Sequence, residues 1–417
     1  MINKIKPIFL RNKLLIKNFS YLSAFQIFNI FIPLATYPYL IRILGSETYG
    51  LIIFALSIVT YFSMIINFGF NISATKDVAE NKNNNNKLNE IVSSVFIIKI
   101  FLWFVSFVFL LVLIAVIPSF RENWLLFFLV FGMTFNELLF PQWFFQGIEK
   151  MKYITIINII SKIVFASLIF IFIKQKEDYL LMPLFTSLGA LVGGGLSIYV
   201  VFIRENIHFS FQKKTILKYY FTESLPLFIS QASIRFYVNA NRILVGTFLG
   251  MTEVAFYDLG EKILSLLKIP VGMLGQAAFP SLANQKSIPK INNVMKLGVL
   301  LTFILIFLVF IFSDLIVNIL GGESMQGAVP IMRILSISAL MVAFSQFLGI
   351  SRLIIFGYKM EFTKIIASSG VIFLLGVLYL YFMNNITVIS LAWLAVLVET
   401  WVTVVMLIVN YNKNLLK

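Results

Sequence analysis

Long apolar stretches alternate with short polar connections along the whole chain. Because about 20 apolar residues cross the hydrocarbon core of a bilayer as an α-helix, each such stretch is a candidate membrane span. Twelve stretches qualify, namely residues 19–41, 50–70, 91–117, 124–146, 153–173, 180–203, 224–249, 254–282, 297–320, 328–350, 365–382 and 386–409. The pattern predicts an all-α integral membrane protein with twelve transmembrane helices.

The composition agrees with this pattern. Of the 417 residues, 60% are hydrophobic and 12% are charged, whereas about a quarter of the residues in an average soluble domain carry a charge. The chain has no cysteine, which excludes disulfide and thiolate chemistry, and a single histidine, His208, excludes histidine clusters as metal or catalytic sites. The phosphate-loop motif G-x-x-x-x-G-K-[ST] is also missing, so we expect no ATP hydrolysis.

The basic residues are concentrated in every second connection. With the N-terminus in the cytoplasm, the cytoplasmic segments carry 22 of the 33 lysines and arginines, the outer connections carry 4 and the spans carry 7. Cytoplasmic loops of membrane proteins carry such an excess, so we predict that both termini are cytoplasmic. The net charge of +15 therefore indicates membrane topology and not nucleic acid. The longest outer connection, 42–49, is too short for an external catalytic domain, and we expect no enzyme activity.

A polar segment at residues 204–223 separates six spans from six. We predict an N-terminal lobe of residues 1–203, a cytoplasmic linker of residues 204–223 and a C-terminal lobe of residues 224–417. Two short matches indicate that the lobes are repeats. Leu44-Gly45 matches Leu249-Gly250 at an offset of 205, and residues 150–153 match residues 359–362 at an offset of 209. Both pairs keep the same side of the membrane, so the repeats would be parallel.

Two arginines stand out among the seven cations within the spans, each of which costs roughly 2.5 to 3.5 kcal/mol in the middle of a bilayer. Arg235 and Arg242 are seven residues apart in the seventh span, and they share one helix face with Gln231 and Asn239. Since an arginine keeps its proton inside a protein, we expect this face to line a water-filled cavity that binds an anionic substrate.

The other cations within the spans are Lys99, Lys162, Lys262, Lys268 and Arg333. All of these except Lys262 join the candidate substrate-binding residues, and we expect the polar helix faces to line one central cavity between the lobes. Two alternatives stay open. Lys99 lies about two turns from the inner end of its span, so it is also placed to reach the membrane surface with its long side chain. Lys268 is placed to pair with Glu261, seven residues earlier on the same helix face.

Acidic residues are fewer within the spans, and they are Glu137, Asp258, Glu261, Asp314 and Glu399. A carboxylate in apolar surroundings is able to load and release a proton, so Glu137 or Glu399 is a candidate for coupling transport to a proton gradient. In the competing interpretation, Glu137, Asp258, Glu261 and Glu399 only balance the cations. The sequence does not separate these roles. We expect no bound cofactor or metal, with a proton or sodium gradient as the candidate energy source.

Four short motifs follow one another along the chain. They are Leu44-Gly45 with Tyr49-Gly50, the run PQWFFQGIEKMKY at 141–153, the run NRILVG at 241–246, and the run AFY at 255–257. Together they resemble the Wzx family of bacterial polysaccharide flippases, at its first helix junction, at the end of its fourth helix and at its junction of the seventh and eighth helices. The resemblance covers essentially the whole chain. Members of that family often carry an acid at the position of Asn241.

The resemblance implies a fold and a function. The fold would be that of MATE exporters and lipid II flippases, with two six-helix lobes in a V-shaped, MATE-like arrangement that works by alternating access. The chain would move an undecaprenyl-pyrophosphate-linked oligosaccharide, such as an O-antigen repeat unit, across the bacterial inner membrane during lipopolysaccharide biosynthesis. Its partners would be that lipid-linked oligosaccharide, membrane lipids, and the polymerase and chain-length proteins of the same pathway, but no nucleic acid.

Two other functions fit the sequence less well than the flippase. An ion-coupled multidrug exporter of the MATE type for organic cations needs an acidic cavity, but the spans hold seven cations against five acids. A membrane glycan polymerase or ligase needs catalytic residues on a sizeable outer loop, and the longest outer connection is too short. The sequence therefore favours the flippase.

Overall fold

The computed structural model describes the backbone of residues 13–416, which contains helices and no strand. Side chains are described from residue 21 onward, except those of residues 22–24, 27, 30, 230, 233–238 and 280. The α-helices are α1 (Lys13–Asn67), α2 (Phe70–Glu80), α3 (Asn85–Val116), α4 (Pro118–Glu122), α5 (Trp124–Phe131), α6 (Phe135–Leu139), α7 (Gln142–Gly147), α8 (Met151–Phe172), α9 (Leu181–Tyr199), α10 (Lys214–Phe248), α11 (Met251–Gln285), α12 (Ile288–Gly321), α13 (Ala328–Ser345), α14 (Lys359–Phe382) and α15 (Val388–Asn412). Short 3₁₀ turns lie at Gly132–Thr134, Lys176–Leu180 and Glu323–Met325, and π-helical turns lie at Val200–Arg204 and Gln346–Ile354.

The predicted spans fall largely within these helices, and the chain is a multi-pass, all-α membrane protein. Ten helical segments of the described chain are long and apolar enough to cross a bilayer. One of them, Phe31–Glu80, has 50 residues, which suffices for two crossings at about 20 residues each. Helix α10, whose 35 residues contain the predicted seventh span, adds a further segment of spanning length.

The backbone breaks between the first two spans at a glycine. Gly45 has φ 77° and ψ 163° within α1, so the helix stops and starts again there. Gly250 has φ 130° and ψ 173° immediately before α11, at the equivalent junction of the second half. Both conformations lie in a region of φ/ψ space that is essentially restricted to glycine. The two halves therefore make this junction with the same kind of backbone turn, as expected for repeats.

The first compact unit comprises the described residues up to Ile43 together with Ile58–Ala232. Its core contains the buried aromatic run Trp143, Phe144 and Phe145 of α7, which packs with α2, α3 and the segment after α9. Residues 206–213 form a non-helical linker that lies along α3. The backbone N–H of His208 donates to Asn89 at 2.8 Å, and that of Ser210 donates to Ser93 at 3.0 Å.

The second compact unit comprises Leu44–Ser57 and Ser233–Lys417. In it α11 packs on α12 and α13, while α15 packs on α13 and α14. The segment Leu44–Ser57 approaches α11 very closely, because a Cβ atom at Gly50 would lie only 1.7 Å from the carbonyl oxygen of Met251. The two units differ from the predicted lobes in two places. Residues 204–232, which include the predicted linker, belong to the first unit, and residues 44–57 belong to the second.

Candidate functional site

Helices α10 and α11 form a hairpin, because only Leu249 and Gly250 separate them. Residues at similar distances from such a connection lie side by side, which brings Arg242 next to the first turns of α11. The Nε atom of Arg242 donates a hydrogen bond to Glu261, and its Nη2 atom lies 3.3 Å from Oδ1 of Asp258. The side chain of Arg242 is 26% exposed, and that of Asp258 is 2% exposed. Arg242 therefore bridges two carboxylates.

The sequence analysis did not predict these carboxylate partners of Arg242. The spacing of residues within one span shows which of them share a face, but it does not show which neighbouring helix meets that face. Both partners of Arg242 come from α11. Contact between Arg242 and substrate stays a prediction, and it would require phosphate oxygens to replace carboxylate oxygens around the guanidinium group.

Lys262 completes the same group of charges. Its ammonium group pairs with Oδ2 of Asp258, and it also donates a hydrogen bond to the hydroxyl of Tyr49 at 3.2 Å. The Tyr49 hydroxyl in turn donates to Oδ2 of Asp258 at 3.3 Å. Asp258 is thus shared by two cations and one hydroxyl, and we call Tyr49, Arg242, Asp258, Glu261 and Lys262 the ion network. It holds two positive and two negative side chains, so its formal charge is zero.

A small cavity lies beside the ion network. It has a volume of about 60 Å³ and is lined in part by Glu261, Lys268 and Glu399, which is room for about two water molecules at 30 Å³ each. Asn241 also lines it and donates to the Tyr257 hydroxyl at 2.8 Å. The Oδ1 atom of Asn241 is buried and accepts no hydrogen bond from the described residues. Lys268 therefore shares its surroundings with both Glu261 and Glu399, which is compatible with a role of these acids in charge balance.

Arg333 lies apart from the ion network. Its Nη2 atom pairs with Asp314 at 2.8 Å, and its Nε atom donates to Ser313 at 2.7 Å. This pair joins α12 and α13, and the side chain of Asp314 is 67% exposed. An exposed pair of this kind contributes little to stability. The sequence placed Arg333 among the substrate-binding candidates because it lies inside a span, but its position near the start of α13 brings it to a helix end.

Lys99 is buried inside the first unit, and only 2% of it is exposed. Its Nζ atom donates to the backbone oxygen of Glu137 at 2.9 Å, and the Glu137 carboxylate accepts from Asn67 at 2.8 Å. In a continuous helix this backbone oxygen would accept from residue 141, but Pro141 has no N–H. Lys99 takes the place of the missing donor. The alternative in which Lys99 reaches the membrane surface is therefore wrong.

The other predicted binding residues are more dispersed. Lys162 lies half-buried on α8 in the first unit, whereas Gln231 and Asn239 lie half-buried on α10, one in each unit. The backbone of Arg235 belongs to α10, but its side chain lies outside the described residues. A single central cavity between the lobes stays a prediction.

Tyr49, Asn67 and Tyr257 are polar partners that the sequence reasoning missed as site residues. A signal for Tyr49 was present. The offset of 205 to 209 between the repeats makes residues 254–258 its counterparts, and Asp258 is among them. Gly50 likewise approaches its counterpart at an offset of 205, since a Cβ atom there would lie 3.3 Å from the backbone nitrogen of Ala255.

Comparison with known proteins relates the chain to a family and to a fold. Residues 15–286 match the family described as "Polysaccharide biosynthesis protein". A protein of Escherichia coli (strain K12) named "Putative O-antigen transporter" is 28% identical over 87% of this chain and 89% of its own length. An inward-facing structure of a multidrug resistance MATE family transporter has a TM-score of 0.72 at 14% identity, covering 92% of this chain and 94% of that one. The lipid II flippase MurJ in an inward closed conformation has a TM-score of 0.69 at 13% identity, covering 96% and 89%.

Proposed function

This chain belongs to the polysaccharide biosynthesis protein family, and we propose that it is a flippase for a lipid-linked oligosaccharide. The substrate would be an undecaprenyl-pyrophosphate-linked repeat unit, such as that of an O-antigen, carried by alternating access from the cytoplasmic to the outer leaflet of the bacterial inner membrane. The observation that carries the proposal is the similarity to the E. coli protein named as an O-antigen transporter, which extends over nearly the whole of both chains. The relatives are transporters, and so is this chain; it is not an enzyme.

The charged groups within the spans support a substrate that bears a diphosphate. Moving such a group through hydrocarbon requires compensating positive charge, and hydrogen bonds between charged partners are the strongest available. Arg242 and Lys262 already pair with Asp258. Lys99 is buried and donates to the Glu137 backbone oxygen. We therefore propose that Lys162, Lys268 and Arg235 are the first cations to meet the diphosphate. Arg242 would join them when its carboxylate partners are exchanged for phosphate oxygens, while Gln231 and Asn239 would bind sugar hydroxyls.

The structural neighbours support the fold, and the choice between flippase and drug exporter depends on other features. Both a MATE transporter and a lipid II flippase share the fold at identities near 14% and 13%. A carrier for organic cations would require an excess of acids. The ion network is neutral, and its neighbouring cavity adds one cation and one acid, Lys268 and Glu399. This balance lacks the excess of acids that a carrier for organic cations would require.

We further propose that both termini are cytoplasmic, that a proton or sodium gradient drives the cycle, and that the polymerase and chain-length proteins of the same pathway act next. Fusing green fluorescent protein to the C-terminus tests the topology, because it fluoresces only when it folds in the cytoplasm. Dependence of transport on external pH or on sodium ions distinguishes the two gradients.

Deletion of the gene in its host tests the proposed function. We expect full-length surface glycan to disappear and to return when the wild-type gene is expressed near its native level. Arg235→Ala and Arg242→Ala should each lower glycan display by about tenfold or more, because a hydrogen bond to a charged group contributes roughly 1.5–3 kcal/mol. Lys82→Ala is the control, since Lys82 forms an exposed pair with Glu149. Normal glycan in the deletion strain, together with a gain in drug sensitivity, would contradict the flippase and favour an exporter.

A further inference from the structure

An apolar groove lies on the surface of the first unit, with a volume of about 300 Å³. Helix α3 contributes Phe96 and Ile100, and helix α6 contributes Leu138 and Leu139. Ile198 and Phe202 line the side formed by α9 and the π-helical turn after it. Ligand pockets in proteins begin at about this volume. If each carbon group takes roughly 30 Å³, the volume of a water molecule in the liquid, the groove has room for about ten of them. Since an isoprene unit has five carbons, this corresponds to about two isoprene units.

The linker 206–213 borders this groove. Phe209 completes the lining, and its ring lies 5.5 Å from that of Phe211. Phe211 is 91% exposed. The linker is fixed in place because the backbone N–H groups of His208 and Ser210 donate to side chains of α3. Phe209 is therefore held over the groove by the linker backbone and not by chance packing.

Basic residues flank the groove near Phe209. Arg204 follows Phe202 by two residues, and Lys213 and Lys214 follow Phe209 by four and five. Exposed aromatic rings next to lysine and arginine are typical of the layer of lipid headgroups, and an excess of basic residues marks the cytoplasmic side. With both termini in the cytoplasm as proposed, the end of the groove at Phe209 would lie at the cytoplasmic headgroup layer and the rest of the groove would face the acyl chains.

The two helices that line the groove, α3 and α6, also carry Lys99 and Glu137. Ile100 follows Lys99, and Leu138 follows Glu137, so the same two helices present their polar residues to the interior and their apolar residues to the groove. A lipid whose hydrocarbon chain lies in the groove would have its phosphate groups among the basic residues near Phe209.

We infer that this groove binds the isoprenoid chain of the lipid-linked substrate in the cytoplasmic leaflet. The inference deepens the proposed function and rests on it. An isoprenoid carries a methyl branch on every fourth chain carbon and rigid double bonds, which suit a short recess of aromatic and branched side chains. A saturated acyl chain gains little from such a recess over the surrounding bilayer. The diphosphate also attracts the flanking cations more strongly than a single phosphate does.

Photolabelling of the full-length wild-type protein in phospholipid nanodiscs tests this inference. The probe is a polyprenyl diphosphate with a diazirine in its isoprenoid chain, and the labelled peptides are identified by mass spectrometry. We expect adducts on Ile100, Leu139 or Ile198. A tenfold excess of unlabelled polyprenyl diphosphate should reduce them about tenfold by mass action. Adducts spread over the exposed faces of α12 and α14, or removed equally well by added phospholipid, would overturn the inference.

Variants that fill the groove provide a second test. Ile100→Trp and Ile198→Trp should lower labelling at Leu139 by about tenfold, the effect of roughly 1.4 kcal/mol in binding. Phe104→Trp is the matched control, since Phe104 lies one turn along α3, is 60% exposed and does not line the groove. Equal labelling in all three variants would contradict the inference.

The two proposals fail separately. If surface glycan requires the protein but the groove is not labelled, the groove inference is wrong and the flippase stands. If surface glycan is normal without the protein, the proposed function is wrong whatever the labelling, and the groove loses the substrate assigned to it.

Discussion

The hydroxyl of Tyr49 donates a hydrogen bond to the carboxylate of Asp258, 209 residues further along the chain. The same carboxylate neutralises Arg242 and Lys262. One acid therefore joins the beginning of the second span to the seventh and eighth. The side chain of Asp258 is 2% exposed, whereas those of Arg242 and Lys262 are 26% and 25% exposed. Asp258 is therefore the buried partner that both ion pairs share.

Asp258→Asn should strongly destabilise the protein. The substitution leaves two cations and one acid in the ion network, and removing one partner from a buried ion pair costs about 3–5 kcal/mol. The thermal unfolding midpoint of the purified protein measures the effect. Asp314→Asn is the control, because its pair with Arg333 is largely exposed and should contribute only about 0–1 kcal/mol. Equal shifts for the two variants would contradict the role of Asp258.

Gly50→Ala should prevent the close approach of Leu44–Ser57 to α11. The added Cβ would lie 1.7 Å from the Met251 carbonyl oxygen, so backbone would have to move. We expect a large loss of monodisperse protein in size-exclusion chromatography. Gly195→Ala is the matched control, because a Cβ atom at Gly195 would have no neighbouring atom within 4 Å among the described residues and alanine is favoured over glycine in a helix. A monodisperse Gly50→Ala protein would show that the approach is not needed.

Lys99→Met should destabilise the first unit by leaving the Glu137 backbone oxygen without its donor. A buried carbonyl that loses its partner costs about 1–3 kcal/mol. Phe140 and Pro141 are not helical at present. Adding Pro141→Ala should recover part of the loss, because alanine returns the backbone N–H and allows the helix to continue through residue 141. The unfolding midpoints of the two single variants and the double variant form a thermodynamic cycle. Strictly additive effects would contradict the view that Lys99 replaces the donor missing at Pro141.

Lys268→Met should leave the ion network and its cavity with one acid too many, and Glu399→Gln should restore the balance. We expect the double variant to be more stable than the sum of the single effects predicts, with a coupling of about 0.5–3 kcal/mol. Arg333→Met combined with Glu399→Gln is the control and should be additive, because Arg333 pairs with Asp314 elsewhere. A coupling near zero for Lys268 and Glu399 would contradict charge balance and favour a separate role for Glu399.

The membrane helices could be predicted from the sequence because each depends only on the length and hydrophobicity of its own segment. A run of apolar residues long enough to cross the bilayer forms a helix whatever its neighbours are, since its backbone groups must be paired within the segment. The connection 42–49, in which the backbone breaks at Gly45, was predictable for the same reason, although the dihedral angles of Gly45 were not. The sequence pattern also placed Arg242 on a polar face of the seventh span, and Glu261 and Lys268 on one face of the eighth.

The ion pairs between helices could not be predicted in the same way. Whether Arg242 meets water or Glu261 depends on how two helices are rotated about their axes, and side-chain spacing along one helix contains no such information. Lys99 illustrates this limit, since its position near the end of a span suited a surface lysine equally well. Its true partner was hinted at only by Pro141, which leaves a carbonyl oxygen unpaired wherever it interrupts a helix.

The turns at Gly45 and Gly250 restrict how this protein can vary over generations. Every codon for glycine differs from the others only in its third base, and any amino acid change at either position adds a side chain to a backbone conformation that excludes one. Synonymous drift is therefore tolerated at both places, while replacement is not. If the two halves descend from one ancestral gene, these two glycines should be among the last residues that the halves still have in common.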